Sequence, residues 1–431
     1  MTVDLAITNA IVVTVDTDST ILRNATVVVD GGAITAVTTA PPPPAAKRTI
    51  DAVGGIVLPG LVNTHAHLAM TMFRGLADDM DLASFLARLL PAEGHVLSAE
   101  TVAAGATLGI AECLRGGITS VLDMYFFPEP TDEVARRAGL RLHHGPVFVE
   151  FPGADGRRFD DRMTWAAERL AATEPGRRWV CPHSTYLLDE HQLGRVADLA
   201  AEVGARVHVH AAETATELRQ VDERHRRSPV EVLRDAGLLG PTTVLAHAVH
   251  LSDEDMGLVA ATGAAVAHCP ASNHKLASGV ARIPELLAMG VPVALGTDGA
   301  ASANDLDLWM AMRLASYAQS VRHGAGAVPV DALVRMATID GARALGIAHL
   351  VGSVEVGKRA DLVVLDGRAP SLTPNYDPAS TVAYAAGRGD VRWVLVDGRV
   401  VVDDGVLTSM DVAEAVAGVA RLRPRIEAAV S

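Results

Sequence analysis

Apolar and polar side chains alternate along residues 4–14, 24–29 and 33–37, with a turn at Asp30, Gly31 and Gly32, which predicts three short strands at the start of the chain. The proline run at 41–44 cannot continue a hydrogen-bonded ladder and predicts an exposed connection before the apolar run at 56–58. From there to about residue 348, short apolar runs recur between longer helical stretches, at 120–124, 141–149, 179–183, 206–211, 243–246, 264–267 and 291–297. With 56–58 these make eight, and strands alternating with helices imply a parallel sheet. The prediction is an α/β chain built on a TIM-like (β/α)8 barrel over 56–348. After Gly357 the strand pattern returns at 362–365, 391–396 and 399–402, and 412–430 reads as a terminal helix. Residues 1–55 and 349–431 are therefore expected to build one small β-sandwich domain from the two chain ends, the second part carrying the helix.

Composition narrows the function. The chain has 431 residues, 49% of them hydrophobic, enough for a core larger than one domain of roughly 100–200 residues needs. No segment approaches the roughly 18 uninterrupted apolar residues of a membrane span, and Met1–Ala10 has no basic stretch before its apolar one, so neither a membrane partner nor Sec-type export is expected. A formal charge of -14 argues against nucleic acid, which needs a basic patch. Cys113, Cys181 and Cys269 are too few and too scattered for a disulfide framework or a CxxC metal site. They read as small buried residues in a reducing, cytoplasmic compartment.

The chain has 16 histidines, and some stand where chemistry needs them. His65 and His67 follow the run at 56–58, and alternate residues of a strand point to one side, so the pair can offer two imidazoles to one ion. Alone, such a pair is more often two solvent-facing or core histidines. Later strand ends add His210, His247 and Asp298, all where a barrel strand meets its following loop, the face that carries catalytic groups in barrel enzymes. Three imidazoles and one carboxylate from different strands would make a four-ligand site for a borderline divalent ion, with a position left for water. His208 competes with His210, because both side chains share one face of their strand.

Six stretches carry a resemblance over essentially the whole length: PGLVNTHAHLAMTMFRG at 59–75, PHSTY at 182–186, HVHAAE at 208–213, HCPASNHKLASG at 268–279, LGTDGAASANDLDLWMAMR at 295–313 and GSVEVGKRADLVVLD at 352–366. Together, in this order, they resemble the amidohydrolase superfamily, in its branch of methylthioadenosine and S-adenosylhomocysteine deaminases, related to the triazine chlorohydrolases. The resemblance implies that His65, His67, His210 and Asp298 hold one divalent ion, zinc before iron or manganese. It implies Glu213 as proton shuttle, His247 as the residue that holds the attacking water, and His183 as a contact to the substrate base. It further implies a homo-oligomer, for which Arg157 and Arg158 are loop residues that a neighbouring subunit could contribute.

Elementary chemistry agrees with those roles. A metal ion lowers the pKa of water from 15.7 toward about 7, and attack on an aromatic C–NH2 carbon also needs an acid to protonate a ring nitrogen; Glu213, three residues beyond His210, can reach such a position. For the substrate, Pro91-Ala92-Glu93 matches a segment in which relatives bind the two ribose hydroxyls through a carboxylate. Relatives often carry a packing Trp about nine residues earlier, where Ser84 and Phe85 stand here, so either stacking falls to Phe85 or the pocket differs. His274 is expected in a surface loop, His250 in a loop near the site, and Asn304 either orienting a ligand or capping a helix. The function expected is deamination of an adenosine-type nucleoside. The alternatives are an aminohydrolase or chlorohydrolase of a free amino-heterocycle such as guanine, 8-oxoguanine, pterin or an s-triazine, and, more remotely, a non-catalytic barrel.

Overall fold

The computed structural model describes residues 2–41 and 43–430. Its parallel barrel runs through Leu61–His67, Ile118–Asp123, Arg141–His144 with Val147–Phe148, Trp179–Pro182, Arg206–Ala211, Thr243–His247, Ala265–His268, and Val293–Leu295 with Asp298–Gly299. Neighbours pair in parallel around the ring, and Asp298 opposite Ala66 closes it. Two staves are interrupted. Pro146, which has no N–H, falls in the first gap; across the second, Gly296 and Thr297 still donate to the carbonyls of His268 and His65 at 2.9 and 3.1 Å. The lower barrel interior is filled by Val62, Leu122, Trp179, Val244, Ala267 and Ala294, so open space lies only toward the carboxyl ends of the strands.

One expectation is corrected. The run at 56–58 is not the first barrel strand: Ile56–Pro59 lies in the terminal sheet, parallel to Val3–Val13 and antiparallel to Leu362–Leu365. Gly60 alone separates it from Leu61–His67, and both segments are wholly buried, so one apolar run conceals two strands that belong to different sheets. The barrel thus begins at Leu61, and 56–59 goes with the terminal strands.

Those strands form one nine-stranded sheet in which Val3–Val13 is central. It pairs with Ile21–Asp30 on one side and, on the other, with Ala46–Asp51 along its first half and Ile56–Pro59 along its second. The inward side chains, among them Ile7, Val27, Val29, Val364 and Leu395, make a core of their own. Ala46–Asp51 and Val406–Leu407 were not expected; the first carries exposed Lys47 and Arg48 and has too little apolar alternation to read as a strand. The turn at Asp30–Ala33 places Gly31 at φ 57° and Gly32 at φ 77°, the mirror-image turn that glycine alone adopts without strain. Pro41, Pro43 and Pro44 are exposed as expected, while Pro42 of that connection lies outside the described residues. The terminal helix is two, Val412–Ala420 and Arg423–Val430, because Pro424 has no N–H to continue the ladder. They pack on the barrel-flanking helices Ala99–Arg115 and Leu82–Val96 respectively.

Sheet and barrel are joined by a buried carboxylate. Asp361 accepts from the Arg141 guanidinium at 3.1 and 3.0 Å and from the Asp397 N–H at 2.7 Å. Removing it leaves the largely buried Arg141 with Asp397 at 3.6 Å as its remaining carboxylate, so Asp361→Ala is expected to lower the unfolding free energy by about 3 kcal/mol. Urea denaturation of the metal-loaded protein checks this, with turnover per folded molecule unchanged.

Candidate metal centre and active site

The carboxyl ends of four barrel strands converge on one buried point. His65 and His67 close the first strand, His210 stands near the end of Arg206–Ala211, and Asp298 opens the closing segment. Asp298 Oδ1 lies 3.3 Å from His65 Nε2 and 3.2 Å from His67 Nε2, and His67 Nε2 lies 3.4 Å from His210 Nε2. Donor atoms about 2.1 Å from a tetrahedral ion stand about 3.4 Å apart, so the spacing fits a divalent metal. Buried His65 Nε2 has no hydrogen-bond partner, which leaves its lone pair free for an ion. His247 reaches the same space: its ligand nitrogen clusters with those of His65 and His210.

Each ring is aimed by the bond its other nitrogen makes. His67 Nδ1 donates to the Met124 carbonyl at 2.5 Å and His210 Nδ1 to the His183 carbonyl at 2.9 Å. His65 Nδ1 and His208 Nε2 are 2.9 Å apart, and His247 Nδ1 is 2.9 Å from Asn273 Nδ2. Asp298 Oδ2 accepts from Ser272 Oγ at 2.6 Å and Ser302 Oγ at 2.7 Å, which turns Oδ1 toward the imidazoles. Burial holds His65 and His210 below the usual imidazole range and takes His183 and His247 to about 3. For His67 burial acts the same way, but Asp298 and the Met124 carbonyl outweigh it and raise the ring. Imidazole nitrogens and one carboxylate are thus gathered closely enough to hold a divalent cation.

Glu213 stands beside it, with Oε2 3.8 Å from His247 Nε2. Burial first, then the charges of Asp298 and Glu217, push its carboxyl well above the ordinary value. A carboxyl whose charged form is disfavoured in this way is suited to exchanging a proton. Glu217 sits one turn on, accepting the N–H groups of Ala212 at 3.0 Å and Glu213 at 2.6 Å, and so fixes the backbone from which Glu213 projects.

A cleft opens over the cluster. Phe85, Glu93 and His183 all line it, as do Glu213, His247 and Asp298. Glu93 is buried and accepts from the Tyr125 hydroxyl at 2.5 Å. Burial carries its carboxyl up to about 7 despite that bond.

Other histidines and polar residues fall elsewhere. His208 and His210 do share the barrel interior, but His208 lies one layer deeper, against His65, and only His210 reaches the mouth. His274 is in no surface loop: it is half-buried on the short helix Pro270–Lys275. His250 is held at 2.6 Å from the Ser278 carbonyl. Asn304 neither touches a ligand nor caps a helix; its side chain joins Asp78 to Lys275. Arg157 is paired with Asp155 and stacked on Trp165. The supporting residues Asn273, Ser272, Ser302, Glu217 and Tyr125 escape sequence reading, since a Ser or Asn beside a ligand has no pattern of its own. Glu217 alone leaves a trace, four residues after Glu213.

A parallel barrel that gathers imidazoles and an aspartate at the carboxyl ends of its strands, beside a buried glutamate, defines a metal-dependent hydrolase. The chain belongs to the amidohydrolase family, which its residues 56–401 match. It is similar to the 5-methylthioadenosine/S-adenosylhomocysteine deaminase of Syntrophobacter fumaroxidans, 41% identical over 424 residues and covering 95% of each chain. It is also similar to the 5'-deoxyadenosine deaminase of Methanosarcina acetivorans, 40% identical over 418 residues, again 95% of each chain. A crystal structure of an adenosine deaminase from Xanthomonas campestris with bound zinc shares the fold at TM-score 0.94 and 36% identity, covering 99% of both chains. Among the described residues no helix is long and apolar enough to cross a membrane.

His65→Ala, His210→Ala and Asp298→Ala are expected to abolish metal retention. His208→Ala, which frees the far nitrogen of His65, is expected to weaken metal affinity by about 10–100-fold without abolishing it. Chelator competition followed by metal analysis distinguishes the two classes.

Proposed function

We propose that the protein is a zinc-dependent deaminase of adenosine-type nucleosides, releasing ammonia and leaving the inosine analogue. The observation that carries this is the pairing, in one cleft, of a metal cluster flanked by Glu213 with a buried Glu93. The first suits hydrolysis of an amino-substituted ring and the second suits a vicinal diol. The names of the relatives, which include methylthioadenosine, S-adenosylhomocysteine and 5'-deoxyadenosine, point the same way.

A bound divalent ion supplies hydroxide at neutral pH by acidifying water. The residues do the rest. His183, whose ring centre lies 4.5 Å from that of His210, binds the base, and Phe85 packs against it. Glu213 takes a proton from the attacking water and delivers it to the ring nitrogen, which makes the amino-bearing carbon electrophilic. His247, fixed by Asn273, hydrogen-bonds and orients the nucleophile. Asp298 takes the hydroxyl proton of the tetrahedral adduct and passes it to the amino group, so that the C–N bond breaks, ammonia departs and the C=O forms. Glu93 holds the ribose hydroxyls, its carboxylate aimed by Tyr125. The same reading makes the enzyme cytoplasmic, consistent with three buried free cysteines, and a homo-oligomer, for which the exposed Tyr317 and Val321 on helix Leu308–His323 offer an apolar face.

Ammonia release by zinc-loaded protein from adenosine nucleosides, guanine, pterin and a melamine-type triazine tests this. Turnover confined to the nucleosides is expected; turnover of free bases or triazines alone would overturn it. Glu213→Gln is expected to keep its metal and lose about a thousandfold in kcat, and retained activity would end the proton-carrier role. Glu93→Ala is expected to lower kcat/KM for nucleosides while leaving metal content intact.

A further inference from the structure

Three neighbouring strand ends are tied together by the loops that follow them. Just beyond Thr243–His247, the His250 N–H donates to the Ala212 carbonyl at 2.9 Å, next to Glu213, while His250 Nε2 donates to the Ser278 carbonyl at 2.6 Å. Beyond Ala265–His268, Asn273 Nδ2 lies 2.9 Å from His247 Nδ1, and the Asn273 carbonyl accepts the Ser278 N–H at 2.8 Å. Ser278 is therefore gripped at both its N–H and its carbonyl. On either side of it the chain bends through Ala277 at φ 53° and Gly279 at φ 132°. A Cβ on Gly279 would stand 2.9 Å from Val249 and 3.4 Å from His250 Nε2, so the close approach of these loops requires glycine there.

That grip directs the Ser278 side chain. The residue is 6% exposed, and its hydroxyl oxygen is buried and completes no hydrogen bond among the described residues. The polar group it faces is the Glu213 carboxyl, whose charged form it favours against the burial that opposes it. A buried hydroxyl is costly to leave unpaired. Glu217 fixes the backbone from which Glu213 projects, but the carboxyl at its far end needs a hold of its own. Glu213 and His247 line the cleft and Ser278 does not, so substrate meets Glu213 without meeting Ser278. A hydroxyl both donates and accepts. It can donate to a carboxylate and accept from a carboxyl, and so stays paired with Glu213 before and after a proton moves without changing its own charge.

Resting on the deaminase reading, we infer that Ser278 is a positioning residue of the reaction: its hydroxyl holds the Glu213 carboxyl in place through proton transfer, and His250 and Asn273 hold Ser278. Asn273 then serves both partners of the attack. Its side chain orients His247, and its carbonyl places the residue that steadies Glu213. The two groups that handle the attacking water are thus set by one frame drawn from three strand ends.

The test compares zinc-loaded wild type with Ser278→Ala on the nucleoside that wild type turns over best. Ser278→Ala is expected to keep its zinc, to hold KM within about threefold and to lose about 10–100-fold in kcat, the effect of removing a hydrogen bond to a charged group. In a Glu213→Gln background, which has no proton to carry, the same substitution is expected to cost less than about threefold, because two residues acting through one step are not additive. A crystal structure of the zinc-loaded enzyme is expected to show Ser278 Oγ about 2.5–3.0 Å from a Glu213 carboxyl oxygen. Unchanged kcat in Ser278→Ala, an equal loss in both backgrounds, or a separation beyond about 3.5 Å in that crystal structure overturns the inference while the deaminase reading stands. Wild type without turnover of any nucleoside overturns both.

Discussion

Asp298 is the residue on which fold and chemistry both depend. It closes the barrel opposite Ala66, and its two oxygens divide their work, one toward His65 and His67, the other accepting from Ser272 and Ser302. Four imidazoles packed in a dry interior with their lone pairs turned inward would be a poor core without a cation at their centre. The carboxylate supplies the anion that such a cation needs. The surrounding hydrogen bonds then follow as conditions for aiming each ring.

Positive φ angles mark the same strand ends. Ala212 stands at 52°, His247 at 75°, Ala248 at 50° and Asp298 at 61°. Non-glycine residues held there cost about 1–3 kcal/mol each and persist where surrounding bonds insist. Those bonds are present. Glu217 clamps Ala212 and Glu213, and the Ala248 N–H donates to the Ala211 carbonyl. Sharp left-handed turns let a strand end inside the barrel and still send its next side chain across the mouth. Glu213 and His247 therefore face each other from separate strands.

Much of this was legible in the chain itself. Period-two alternation marked the terminal strands, and apolar runs between helical stretches marked the barrel, because burial on both faces leaves a continuous apolar signal. The run at 56–58 misled for the same reason, since buried strands of two different sheets look alike. Spacing brought His65, His67, His210, His247 and Asp298 to strand ends, but it could not separate His208 from His210. Depth along a strand decides between them, and depth is a property of the closed barrel. Asn273, Ser302 and Tyr125 were illegible because a single hydrogen bond across the fold leaves no periodicity. The face of Leu82–Val96 that lines the cleft was equally hidden, since an amphipathic helix does not say whether its apolar stripe meets a core or a ligand.

X-ray absorption at the zinc edge of reconstituted protein, with metal counted per chain, tests the central claim of one ion held by three imidazoles and one carboxylate. One ion per chain is expected, with about four or five nitrogen or oxygen neighbours near 2.0–2.2 Å and outer-shell scattering from imidazole rings. Two ions per chain, a sulfur neighbour near about 2.3 Å, or a shell without imidazole scattering would contradict it.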